Sequence, residues 1–149
     1  MRTIAPIAAA LLMLTSGVSL AQQAPAQALP RTPAPAGAMV YFLSPEDGAE
    51  VTSPFTVRFG LRGMGVAPAG ITAPNTGHHH LLINVDEPPD ESVPLPATDQ
   101  VRHFGLGQTE TELELPPGTY TLQLVLGDAL HIPHDPPVRS ERITITVTE

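Results

Sequence analysis

The chain predicts an all-β fold: an immunoglobulin- or fibronectin-like antiparallel β-sandwich of about seven strands. Three observations carry this reading. Short apolar runs alternate with period two, no long segment holds a helical period, and proline-glycine turns separate the runs.

The elements follow in order. Met1-Arg2, an apolar run from Ile4 to Leu14 and small residues up to Ala21 form the pattern of a secretory signal peptide, residues 1–21. The run is short for a bilayer, which ranks an uncleaved anchor second. Residues 22–37 are mostly Ala, Pro and Gln with the single charged residue Arg31, a composition that predicts a disordered linker. Residues 38–149 are long enough for one domain with a core and too short for two.

Within that domain Met39 to Leu43 reads as a first strand, ended by the turn Ser44-Pro45-Glu46-Asp47-Gly48. Val51 to Leu61 reads as a second, with Phe55, Val57 and Phe59 on one face and Pro54 near its start. A loop spans Gly63 to Gly70, and His78 to Val85 is the next strand, buried on at least one side. A proline-rich acidic loop runs from Asp86 to Asp99. Glu110, Glu112 and Glu114 alternate with Thr111, Leu113 and Leu115, as in a half-buried strand. After Pro116-Pro117-Gly118, Tyr120, Leu122, Leu124 and Leu126 face inward, and Ile143, Ile145 and Val147 close the chain. Tyr120, just past a proline-glycine turn, occupies the place of a corner tyrosine whose hydroxyl bonds back to the backbone.

Cysteine is absent, so the core alone must hold an exported domain, and a lipid-modified cysteine anchor is excluded. With 15 acidic against 7 basic residues the formal charge is −8, and the arginines are scattered singly. Nucleic acid and anionic lipid are therefore poor partners. After signal cleavage no membrane insertion is expected, and the localisation is periplasmic or secreted.

All six histidines fall in three stretches: Gly77-His78-His79-His80, Arg102-His103-Phe104-Gly105, and Gly127 to Asp135 with His131 and His134. Without cysteine or lysine, imidazole is the one side chain here that is both a good metal ligand and a proton carrier near neutral pH. On a strand, His78 and His80 point the same way, roughly 6 to 7 Å apart, while His79 points to the opposite face. His131 and His134 share a proline-stiffened loop, and His103 lies beside Gly105 and Gly107. If these stretches meet at one rim, His78, His80, His103, His131 and His134 suit copper(II), zinc or nickel, with copper or zinc the ion suspected.

Each group also has a plainer reading. His79 shares a face with Leu81, Ile83 and Val85 and reads as a packed ring with one satisfied nitrogen. His131 and His134 fit loop-carbonyl bonding equally well. Asp128 and Asp135 suit either orienting an imidazole or capping the loop. Met64 suits a soft ligand for copper(I), and Met39 reads as core. Asp86, Glu87, Asp90 and Glu91 lack calcium-loop spacing and read as a solvated loop. Ser44, Ser53, Ser92 and Ser140 sit in no nucleophile elbow, and no glycine-rich phosphate cradle is present.

Several long segments resemble a bacterial exported family known as domain of unknown function number 4399. They are Val40 to Gly48, Phe59 to Gly70, Thr76 to Ile83, His103 to Glu110 and His131 to Pro137, and the resemblance spans nearly all of Met39 to Val147. The resemblance implies further histidines near the positions held here by Val101 and Ala129. This chain lacks both, which leaves the five histidines named above as the candidate set.

Three functions compete. The first is a periplasmic copper- or zinc-binding protein, in which the imidazoles converge. The second is a metal-free envelope module that binds a protein or glycan, in which they diverge or bond to backbone. The third is a hydrolase with a histidine-held metal and Glu110 or Asp128 as base. No catalytic residue is assigned, and the balance leans away from an enzyme. A copper site built on an N-terminal histidine is disfavoured, because the expected mature chain begins at Gln22.

Overall fold

The computed structural model describes residues 29–149; the expected signal peptide (1–21) and residues 22–28 of the expected linker lie outside the described residues. The described chain is all-β. It runs β1 (Met39–Ser44), β2 (Glu50–Thr52), β3 (Phe55–Arg62), β4 (Gly65–Val66), β5 (Thr76–Ile83), β6 (Val101–His103), β7 (Glu110–Leu113), β8 (Gly118–Gly127) and β9 (Ile143–Thr148). One sheet has the order β1-β3-β7 and the other β2-β9-β8-β5-β4, with β6 also paired to β5.

Alternation builds the core between the sheets. Phe55, Val57 and Phe59 on β3 and Val40 on β1 face Leu81 on β5, Leu122, Leu124 and Leu126 on β8, and Ile145 on β9. Every one of these side chains is less than a tenth exposed. At the corner before β8, the Tyr120 hydroxyl donates to the Pro116 carbonyl at 2.9 Å, the bond expected of a corner tyrosine.

Four expectations need correction. The stretch from Val51 to Leu61 is two strands in different sheets, because Pro54 has no N–H for a ladder and the chain crosses over there. Pairing is not wholly antiparallel: β2 runs parallel to β9, and β4 parallel to β5. Met39 is 43% exposed while Val40 is buried, since the inward phase of β1 falls on Val40; Met64 instead packs against the core. The expected linker reached Gly37, yet its end joins the domain. Ala34 N–H donates to the Asp135 carbonyl at 2.9 Å, and Asp135 N–H to the Thr32 carbonyl at 2.9 Å.

A second, smaller apolar cluster lies on the outer face of the larger sheet: Leu82, Leu95, Val101 and Val125. The acidic loop therefore does more than face solvent. Leu95 is buried, and Glu91 pairs with Arg31 at 3.3 Å and also with Arg139. This loop covers the same face of β5 that carries His78 and His80.

Candidate metal centre

Strand geometry brings the first three rings together. On β5, His78 and His80 share the outer face and His79 the inner one, as period two requires. The antiparallel register sets His80 opposite His103 of β6 on one side and His78 opposite Gly127 of β8 on the other. The fourth ring comes from the loop after β8. There the chain doubles back, with Gly127 bridged to Pro133, and lays His131 over the β5 pair.

The six ring pairs among His78, His80, His103 and His131 have centroids 4.6 to 5.9 Å apart. One ring nitrogen from each lies within 4.8 Å of the others. At ordinary metal–nitrogen distances, nitrogens on opposite sides of a single ion stand about 4.1 Å apart and those of a tetrahedral site about 3.4 Å apart, so entry of a metal needs the widest of these separations to close by roughly 0.7 Å or more. His78 Nε2 and His131 Nδ1 are hydrogen-bonded at 3.0 Å. Three other buried nitrogens, Nδ1 of His78 and both nitrogens of His80, have no partner.

Electrostatics favours the neutral, ligating form. Burial pushes the His80 imidazole down from 6.5 to about 3, helped by the neighbouring rings. Burial and the charges of His131 and His103 take His78 down to about 4, with Asp128 acting in the opposite sense. His103, the exposed member, is lowered by partial burial and by His131. At neutral pH, His78 and His80 each hold a lone pair that no proton occupies.

Glycines make the space. A methyl group at Gly127 would stand 2.7 Å from Cε1 and 3.1 Å from Nδ1 of His80, and one at Gly105 would run into the His103 ring. Neither glycine has a positive φ, so room for an imidazole, not backbone freedom, is what each supplies. Sequence reading missed this role for Gly127.

His131 itself is strained. Its φ of +66° lies in the left-handed region, which costs a non-glycine residue roughly 1–2 kcal/mol. Asp128 holds it there: Oδ1 accepts the N–H groups of Leu130 at 2.9 Å and Ile132 at 3.0 Å. The His131 N–H donates to the Asp128 carbonyl at 3.0 Å, and the Leu95 N–H to the His131 carbonyl at 2.8 Å.

The structure does not bring His134 to this cluster. Past Pro133 its ring turns inward, with Nδ1 3.3 Å from the Leu126 carbonyl and Nε2 3.2 Å from the Thr76 carbonyl. His79 packs against Phe59 at 5.1 Å between the sheets, but neither of its nitrogens has a partner, where one satisfied nitrogen was expected. The candidate bases are engaged elsewhere. Glu110 pairs with Arg58 at 3.1 Å on the other sheet, and Asp128 accepts loop N–H groups with one oxygen and the Thr32 hydroxyl with the other. Asp135 faces Arg31 at 3.7 Å, and Met64 packs, half-buried, against the core. A groove of about 310 Å³ runs along β1 beside Arg139 and Ile143 and is lined by no histidine.

A two-sheet domain with a four-imidazole cluster on one outer face is thus the class that fold and site define. The family model described as domain of unknown function (DUF4399) matches residues 57–148, and the chain belongs to that family. No curated protein and no solved structure matches it. Among the described residues no helix is long and apolar enough to cross a membrane.

Proposed function

We propose that this chain is a periplasmic protein that binds one transition-metal ion, copper or zinc, through His78, His80, His103 and His131. The observation that carries the reading is the convergence of one nitrogen from each of four imidazoles within 4.8 Å, in a cluster where Nδ1 of His78 and both nitrogens of His80 are buried without partners. A buried polar atom with no hydrogen bond is costly, and a cation shared among neutral nitrogens removes that cost. Three ligands come from sheet strands and one from a loop, with exposed His103 at the entrance. Four neutral nitrogen donors and no thiolate favour copper(II) over zinc. The competing metal-free module calls for rings that diverge or bond to backbone, an arrangement found in His134.

We also read the two sheets as an immunoglobulin-like sandwich. Support comes from the Tyr120 corner and from β2 running along β9 beside the antiparallel β8–β9 pair.

Calorimetric titration of the untagged protein tests the function. One copper(II) per chain, bound more tightly than zinc, is the expected result. Since burial keeps His78 and His80 near 4 and 3, protons should displace the metal well below pH 6.5. No heat with either ion at neutral pH sinks the metal reading and promotes the metal-free module.

A further inference from the structure

Three of the four rings need no special support, because ladder hydrogen bonds fix His78, His80 and His103 on β5 and β6. His131 has no ladder. It sits in an irregular loop at a φ of +66°, a conformation that persists only where surrounding contacts over-determine it. Those contacts converge on one side chain.

Asp128 is 5% exposed. One oxygen accepts the N–H groups on either side of His131, those of Leu130 and Ile132. The Asp128 N–H in turn donates to the Ile132 carbonyl at 2.9 Å, closing the loop on itself. The second oxygen accepts the Thr32 hydroxyl at 2.7 Å, from a segment 96 residues away in sequence. That segment is pinned in its turn: Arg31 Nε donates to the Pro133 carbonyl at 3.1 Å, and its guanidinium also reaches the His134 carbonyl. The residues just before the first strand therefore grip both ends of the loop that carries the fourth ring.

We propose that Asp128, braced by Thr32 of the N-terminal segment, is the positioning residue that sets His131 as the fourth ligand. The proposal rests on the metal-binding reading above. Asp128 touches no ion. It acts by fixing a backbone turn, and its buried negative charge offsets part of the charge of a bound dication. The N-terminal segment thereby becomes part of the binding site at one remove, and releasing it loosens a ligand without disturbing the sheets.

Copper(II) titration of the untagged protein, with electron paramagnetic resonance counting the coordinated nitrogens, tests this in the wild type, Asp128→Ala, Asp128→Asn and Thr32→Val. The wild type should show four nitrogens. Asp128→Ala should show three and bind at least about tenfold more weakly, the scale of losing hydrogen bonds to a charged acceptor. Asp128→Asn keeps an oxygen for the two flanking N–H groups and should keep four nitrogens with a smaller loss. Thr32→Val should weaken binding by roughly fivefold. In the metal-free protein, Thr32→Val should speed amide exchange at Leu130 and Ile132 while Leu122 and Leu124 on β8 stay protected, which separates a loosened loop from global unfolding.

Four nitrogens at wild-type affinity in both Asp128→Ala and Thr32→Val, with unchanged exchange in the loop, would overturn the positioning role and leave the metal site standing. A wild type that takes up no copper would overturn both.

Discussion

His79 and His80 are neighbours in the chain, equally buried, and lie on opposite faces of β5. Each is almost fully excluded from water, and in both rings neither nitrogen has a hydrogen-bond partner. By burial and satisfaction alone they are the same residue. Their surroundings separate them: His79 meets the phenyl ring of Phe59, whereas His80 meets the imidazoles of His78 at 4.7 Å and His103 at 5.2 Å. An orphaned buried nitrogen is thus a cost that a fold sometimes carries. It becomes evidence for a ligand only where the ring that carries it stands among other imidazoles whose nitrogens converge.

Both faces should respond to acid, and this is the largest effect expected. His78 and His79 stand at about 4 and His80 at about 3 in the folded chain, against 6.5 when unfolded. Below pH 6.5 the unfolded chain binds protons that the folded one refuses. The stability contributed by the neutral rings is therefore complete above pH 6.5 and is lost as pH falls towards 4 and 3. Each ring within its window contributes a slope of about 1.4 kcal/mol per pH unit. Three together are steep enough to unfold a domain of ordinary stability between roughly pH 5 and 4. Denaturant midpoints followed from pH 8 to 4 check this; a flat profile would show that the rings are hydrated or already charged.

Metal should then separate the faces. His80→Ala is expected to weaken copper binding by roughly 100-fold or more, exceeding what loss of an outer hydrogen bond costs a metal site. His79→Leu should leave the affinity unchanged. Equal losses in the two variants would mean that the outer cluster is not the site.

His79→Leu sharpens the comparison in the other direction. Leucine fills the space beside Phe59 with no unpaired polar atoms, so the variant should be more stable than the wild type by about 1–3 kcal/mol at neutral pH. Its acid unfolding should also lose one ring's share of the slope. A destabilised His79→Leu protein would point to a partner that the ring finds in solution.

Much of this arrangement was legible in the sequence, for reasons that differ from residue to residue. Period two alone separates His79 from His78 and His80, and clustering alone made His103 and His131 candidates. His134 was misplaced because spacing within a loop carries no direction: the bridge at Pro133 turns its ring between two carbonyl groups while His131, three residues earlier, faces the cluster. β4 and β6, of two and three residues, are too short for any alternation to register. Arg31 and Thr32 were hidden in a composition that reads as linker, since their hold on the domain comes from partners about a hundred residues away. The space that Gly105 and Gly127 leave for rings exists only once the strands are paired.

His103 gives the smallest expected change in stability and a clean separation of ligand from scaffold. It is the one exposed ring of the four, at the end of the three-residue strand β6, and it contributes little to either apolar cluster. Removing an exposed side chain away from the core usually changes stability by no more than about 0.5 kcal/mol. His103→Ala should therefore unfold at nearly the wild-type denaturant concentration in the absence of metal. Added copper should stabilise it far less than the wild type, because ligand-linked stabilisation scales with the affinity for the folded state. The paired measurement is the midpoint shift on adding copper, in wild type and variant. Equal shifts would mean that three buried rings suffice and His103 only lines the entrance, whereas a lost shift with an unchanged metal-free midpoint places a ligand where the fold has no use for a histidine.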